Sequence, residues 1–169
     1  VKVDGRVVKA PREHLYVLLN KPAGVVCSHA DPHNPDTIYD LLPEKWRKRL
    51  RFVGRLDKPT TGLLLLTDDG NLANQLAHPR HEVDKVYRAT VEGRVSDETL
   101  AQLEKGVELE DGPTWPAKIK TLRQSRESTV LEITIHEGRN RIVRRMCETV
   151  GHPVRKLERI AYGPLELQG

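Results

Sequence analysis

Two periodicities run through this chain of 169 residues, and between them they predict most of its elements. Alternation of apolar and polar positions marks half-buried strands. It covers Val86–Glu92, where Tyr87, Ala89 and Val91 face one way and Arg88 and Thr90 the other, then Trp115–Leu122, then Val130–His136 with Leu131, Ile133 and Ile135 on one face. Continuous apolar runs mark strands buried on both faces. These are Leu15–Leu19, ending at the Asn20–Gly24 turn with Val25–Cys27 continuing beyond it, and Leu63–Thr67. Phe52–Val53 adds a short strand and Val154–Tyr162 a last one. At the start, Val1–Val8 alternates around Asp4-Gly5, a hairpin signal, before a linker at Ala10–Arg12.

Helical spacing appears four times. Asp36 would cap a short helix bearing Ile38, Leu41 and Leu42. Asp68-Asp69-Gly70 leads into a second with Leu72, Ala73, Leu76 and Ala77 on one side, stopped by Pro79. Ser96 caps a third with Leu100, Leu103 and Val107 inward and Gly106 near its end. A fourth begins at Asn140 and buries Ile142, Val143, Met146, Cys147 and Val150. Strands outnumber helices and often follow one another directly, so the expected class is α+β with a mostly antiparallel sheet rather than a doubly wound fold.

Composition narrows the functional classes. With 37% hydrophobic and 31% charged residues the chain is ordinary for a globular protein, and no apolar run approaches the roughly 20 residues of a membrane span. Cys27 and Cys147 are too few and too far apart for a disulfide framework or a Cys-x-x-Cys site, so both read as small buried apolar residues of a reducing cytoplasm. The net charge of +4 is modest, but its distribution is uneven. Lys45–Arg51 holds five cations in seven positions and Arg139–Arg145 holds four in seven. One basic run is usually a solvated face; two, each beside a glycine-bearing turn, favour a polyanionic partner.

Three places could carry chemistry. Asp57 ends a short strand and precedes Lys58-Pro59, where the proline blocks sheet pairing and presents the carboxylate at a rim, and Thr60-Thr61-Gly62 supplies hydroxyls that could orient it. The bland alternative is an Asx-type turn. Arg141, Arg144 and Arg145 stand in the first turn of the fourth helix, where cations oppose the macrodipole at about 0.3–1 kcal/mol each. An anion would justify them, and so would surface pairs such as one with Glu148. Tyr87 is either a core tyrosine or a stacking platform for a flat base. His29, Asp31, His33 and Asp36, and separately His78 and His81, imitate metal spacings, but Pro32, Pro35 and Pro79 interrupt both, and no metal is expected.

The stretches LLNKPAGVVCSHADPHNPDTIYDLLP, GRLDKPTTGLLLLTDDGNLANQLAHP, KVYRATVEG and EGRNRIVRRMCETVGHPVRKLERIAYGPLEL together resemble the RsuA/RluB branch of ribosomal RNA pseudouridine synthases over residues 15–169. The resemblance implies a central mixed sheet flanked by helices, in two halves with the active-site cleft between them. It makes 13–169 a catalytic domain and 1–12 the tail of an S4-type RNA-binding domain. Asp57 would then be the catalytic aspartate, Tyr87 the residue at the target base, Arg144 the partner of Asp57, and Leu157 an apolar contact to the uracil. Arg55 would enter the RNA stack when the target base is extruded. Arg139, Arg141, Arg145, Lys21, Thr60 and Thr61 would be further substrate contacts.

The implied protein is a monomer that isomerises a uridine of ribosomal RNA without a cofactor, in a stem-loop or a pre-ribosomal particle and away from membranes. Relatives commonly carry His-Gln where this chain has Arg141-Ile142, and large-subunit members tolerate the difference better, so 23S RNA is favoured over 16S. The competing readings are a non-catalytic RNA-binding or ribosome-assembly protein, and a nucleosidase or nuclease.

Overall fold

Two antiparallel groups of strands meet at a parallel seam. In the computed structural model, residues 13–28, 36–78 and 83–167 are described, together with the backbone of 2–3 and 6–7. The first group pairs β3 (Tyr16–Lys21) and β4 (Arg51–Val53) antiparallel to β5 (Thr61–Thr67). The second joins β6 (Lys85–Glu92), β9 (Lys118–Gln124), β10 (Ser128–Ile135) and β11 (Val154–Tyr162), with β12 (Leu165–Glu166) on the end of β11. The order is β3-β5-β11-β6-β10-β9, and β5 and β11 touch in parallel at Thr61 opposite Glu158 and Gly62 opposite Arg159. Two small hairpins stand apart from this sheet: β1 (Lys2–Val3) with β2 (Arg6–Val7), and β7 (Glu108–Leu109) with β8 (Gly112–Pro113).

The expected class therefore holds: an α+β protein around a mixed, mostly antiparallel eight-stranded sheet. One face of that sheet is covered by a 3₁₀ turn (Ile38–Leu41), α3 (Asp97–Lys105) and α4 (Ile142–Thr149). Ile38, Leu103, Val143 and Met146 pack there with Leu64, Leu66, Tyr87, Ala89, Leu131, Ile133 and Leu157 as one core. Leu63 and Leu65 point to the opposite side and are buried as well, which is why β5 reads as an unbroken apolar run. Strands β6 and β10 keep one wetter face, so their sequences alternate. Both cysteines are buried, and burial pushes the Cys147 thiol up to about 12.

Several local expectations are corrected. Strand β3 is not buried on both faces: it is the sheet edge, with Tyr16 and Leu18 each about half exposed, at 52% and 49%. Val25–Cys27 contributes only a bridge from Val26 to Thr37 rather than a strand. Thr37, not Asp36, caps the 3₁₀ turn, its backbone N–H donating to Asp40 Oδ2 at 3.0 Å, and Leu41 faces solvent. In α2 (Gly70–Ala77), Leu72, Ala73 and Leu76 are half-buried but Ala77 is exposed. The Trp115–Leu122 alternation fails because β9 starts at Lys118 and is the other sheet edge, leaving Leu122 in solvent. Helix α4 starts at Ile142, two residues after the expected Asn140, and Val150 is its half-buried C-cap. The Ala10–Arg12 linker, the loop bearing His29, Asp31 and His33, and the pair of Pro79 and His81 lie outside the described residues.

The first basic run is spent largely on the fold. Arg47 Nε donates to the Leu42 carbonyl at 3.2 Å, and Arg51 Nη1 reaches the carbonyls of Lys48 and Leu50. Arg49 pairs with Asp68, which also accepts from the Leu15 N–H (2.9 Å) and faces His14 Nδ1 at 3.2 Å. Asp68 thereby ties the start of β3 to the turn after α1 (Glu44–Arg47) and the end of β5. The Arg49 guanidinium, then the Leu15 N–H, hold the Asp68 carboxyl far below the ordinary carboxylate range. A depressed folded-state pKa contributes stability above the unfolded value, near 3.9, and loses it as pH falls through the folded value. Asp68→Asn is thus expected to lower the urea midpoint at pH 7, and the gap between the two proteins should close progressively below about pH 4. A gap independent of pH would refute the ion-pair account.

Candidate active site

Between β4 and β5 the chain runs Gly54-Arg55-Leu56-Asp57-Lys58-Pro59-Thr60, and nearly every anchor of this loop is a backbone carbonyl taken by a buried cation. Arg159, 1% exposed, donates from Nη2 to the Gly54 carbonyl (2.7 Å) and from Nε to the Leu63 carbonyl (3.0 Å), with its guanidinium 4.7 Å from the Tyr162 ring centre. Lys21, fully buried, donates from Nζ to the carbonyls of Pro22 (2.9 Å), Lys58 (3.1 Å) and Thr60 (2.8 Å). The Thr60 N–H closes the Asp57–Thr60 turn on the Asp57 carbonyl at 3.0 Å, and Leu56 is buried beneath it. Burying a cation is costly unless its donors find acceptors; three carbonyls take the three Lys21 donors, and two carbonyls and the Tyr162 ring face Arg159. Desolvation lowers the Lys21 pKa, and the field of Asp57 opposes that shift.

The loop forms one rim of a cleft of about 470 Å³. Tyr87 from β6 and Leu157 from β11 supply its apolar wall, Arg55 and Asp57 its loop side, and Arg141 the opposite lip. Among the described residues two carboxylates line it, Asp57 and Glu137. Glu137 is committed elsewhere: Oε1 accepts from Arg139 Nε and Oε2 from the Trp115 N–H, both at 2.7 Å. Asp57 is 31% exposed, and its Oδ2 lies 3.9 Å from Arg141 Nε.

Arg141 has φ +53°, the left-handed region, which costs a residue with a Cβ about 1–2 kcal/mol. Among the described residues it is the non-glycine position with positive φ, and it sits at the lip of the cleft as the N-cap of α4. Strain of this kind persists where the surroundings enforce it and clusters at functional sites.

The structure redistributes the expected partners. Asp57 is not paired directly with Arg144: Arg144 Nη2 donates to Thr60 Oγ1 at 3.0 Å, and the ion pair is with Arg141. Arg144 still feels the carboxylate, since burial and then Arg141 lower its pKa while Asp57 raises it. Thr61 Oγ1 donates to the Leu157 carbonyl at 3.4 Å, so the two threonine hydroxyls serve the loop and the seam rather than the aspartate. Lys21 is inaccessible and supports the loop from below.

Arg145 does not meet Glu148; it forms a two-pronged pair with Asp111 at 2.9 and 3.2 Å, and Arg139 is shared between Glu137, Asp111 and the carbonyls of Gly112 and Pro113. The cations that oppose the α4 dipole are therefore offset by side chains of the protein itself. Sequence reasoning missed Arg159, Lys85, Tyr162 and Glu137, all cleft-lining. Lys85, whose pKa is lowered by burial and by Arg159, lies with Nζ 5.6 Å from the Tyr162 ring centre. Arg159 stands two residues after Leu157 on the same face of β11, and a charge at a strand position that should be buried was the available signal.

Among the described residues no cluster of His, Cys, Asp or Glu could hold a metal ion, and no helix is long and apolar enough to cross a membrane.

Comparison with known proteins places this geometry in context. The chain is 45% identical over 168 residues to an uncharacterized RNA pseudouridine synthase of Aquifex aeolicus, covering 99% of this chain and 67% of the relative. It is 44% identical over 171 residues to the ribosomal large subunit pseudouridine synthase B of Bacillus subtilis, covering 100% of this chain and 69% of that protein. A crystal structure of a pseudouridylate synthase superposes with a TM-score of 0.84 at 37% identity, over 92% of this chain and 66% of that one. The chain thus spans about two thirds of the length of these relatives. With residues 15–149 matching the family described as RNA pseudouridylate synthase, and Asp57 and most of its cleft lying within them, the chain belongs to that family.

Proposed function

We propose that the chain isomerises uridine to pseudouridine in ribosomal RNA, with Asp57 as the reacting carboxylate and a large-subunit RNA as substrate. The observation that carries this reading is that, among the described residues, this carboxylate is the uncommitted one in the cleft. Hydrolysis of a glycosidic bond uses two free carboxyl groups and an admitted water. In this cleft the second carboxylate, Glu137, has both oxygens engaged, so Asp57 acts without a partner base. Isomerisation needs no hydrolytic water: the N1–C1′ bond breaks, the uracil turns over, C5 bonds to C1′, and the C5 proton is exchanged for one on N1. No electron is gained or lost, so no oxidant or reductant is needed, and no cofactor is invoked.

The chemistry requires the base to leave the helix. Tyr87 and Leu157 provide the flat and apolar surfaces for a flipped uracil, and Arg55, exposed on the loop two residues before Asp57, is positioned by sequence to fill the vacated stack. Arg141 faces the carboxylate through the ion pair, and Arg144, held by the Thr60 hydroxyl, adds a second guanidinium beside it. The relative from Bacillus subtilis is named for the large ribosomal subunit, which supports 23S RNA as the target class.

Incubation with large-subunit rRNA transcripts followed by nucleoside digestion is expected to yield pseudouridine with RNA mass and length unchanged. Free uracil or a cut strand would replace the isomerase reading with a hydrolase. Binding without conversion would leave an RNA-binding protein.

A further inference from the structure

We propose that the cleft continues into a second subsite that takes the base of a nucleotide neighbouring the target and stacks it on Trp115, with His136 beside it. This rests on the RNA-directed reading above and adds a specificity-determining contact to it. A hollow of about 610 Å³ adjoins the Asp57 cleft and shares with it the wall formed by Ala77, Lys85, Glu137, Gly138 and Arg139. On its far side stand Trp115 and His136, ring centres 5.0 Å apart and inclined by 51°. Trp115 is 46% exposed, and of the large apolar side chains so exposed among the described residues it is the one facing a hollow continuous with the cleft.

Its backbone is fixed, and its ring touches His136 on one side while much of it stays exposed. The Trp115 N–H donates to Glu137 Oε2, and Glu137 Oε1 accepts from Arg139. Arg139 in turn donates to the carbonyls of Gly112 and Pro113 at 3.1 and 2.9 Å. The β7–β8 hairpin and Trp115 are thereby lashed to the segment that lines both hollows. An anchored aromatic with an open face is a preorganised stacking surface, which loses little freedom when a flat ligand arrives.

Charge selects the moiety. Arg139, the guanidinium that lines this hollow, is already engaged by Glu137 and Asp111, and Lys85 lies over the Tyr162 ring, so the hollow presents no bare guanidinium to a phosphate; what it presents on its far side is ring face. A nucleobase has the matching flat π-surface, and the neighbours of an extruded target have lost a stacking partner. Once the target occupies the first hollow, the strand carries an adjacent base to the second.

The test uses Trp46→Phe, which leaves Trp115 as the sole indole of a chain with two tryptophans. A ten-nucleotide oligouridylate is titrated into it, with binding read independently by anisotropy of a labelled oligomer. Trp115 emission is expected to be quenched in step with binding. Trp115→Ala should weaken binding about fivefold to a hundredfold, the range of one base-stacking contact, and Trp115→Phe should recover most of it. Unchanged emission at saturation, Trp115→Ala within twofold of the parent, or no binding of the oligomer would each overturn the subsite. Assaying the protein with Asp57 intact for pseudouridine in large-subunit rRNA alongside the titration separates the two readings. Quenching in a protein that makes no pseudouridine keeps the subsite and removes the isomerase, whereas conversion without quenching does the reverse.

Discussion

Replacing Asp57 by asparagine is expected to abolish pseudouridine formation, by at least about a thousandfold, while RNA affinity stays within a few fold. The substitution preserves shape and hydrogen-bonding capacity but removes the one uncommitted carboxylate among the described residues of the cleft. A reacting group that engages only as bonds change contributes to the transition state and not to ground-state binding, so its loss appears in turnover rather than in affinity. The ion pair with Arg141 is long and half exposed, at 3.9 Å, so its loss contributes little to stability and the variant should fold like the parent. Loss of RNA binding alongside activity would make Asp57 a binding residue, and full activity would remove it from the chemistry.

The second large effect is structural. Gly62→Ala is expected to destabilise the fold by about 3 kcal/mol or more, measured as a fall in the urea midpoint at constant slope. Gly62 has φ +111°, and a Cβ there would sit 2.2 Å from the Arg159 carbonyl oxygen and 2.7 Å from its nitrogen. Both contacts are to backbone, which cannot rotate aside. They fall at the Gly62–Arg159 pair, one of the two pairs by which β5 and β11 join the halves of the sheet. Because Arg159 also holds the Gly54 carbonyl at the start of the Asp57 loop, a strained seam should lower activity in proportion to local opening, even in the folded fraction. A midpoint within experimental error of the parent would show that the seam can part without cost.

These two sites bear differently on what could be read in advance. The fold class followed from periodicity, because a strand covered on one face alternates and a strand covered on both does not, and β5, β6 and β10 obey that rule. Asp57 was legible as an acid stranded beside a proline in front of a buried strand, and the family followed from four ordered motifs. Edges were not legible: β3 and β9 carry apolar residues into solvent, since the pattern of one strand does not say whether another lies beside it.

Arginine roles were the least readable. A run of guanidiniums looks alike in sequence whether each is aimed at RNA or at the protein. Only chain folding over long separations brought Asp111 to Arg145, the Gly54 carbonyl to Arg159 and Thr60 to Arg144, which left Arg141 facing the aspartate. The sequence by itself determined most of the strands and helices, the candidate acid Asp57 and the family, because those depend on residue type and local spacing. Tertiary structure decided which cations remain free for a ligand, because charge is cancelled by contact in space and not by proximity along the chain.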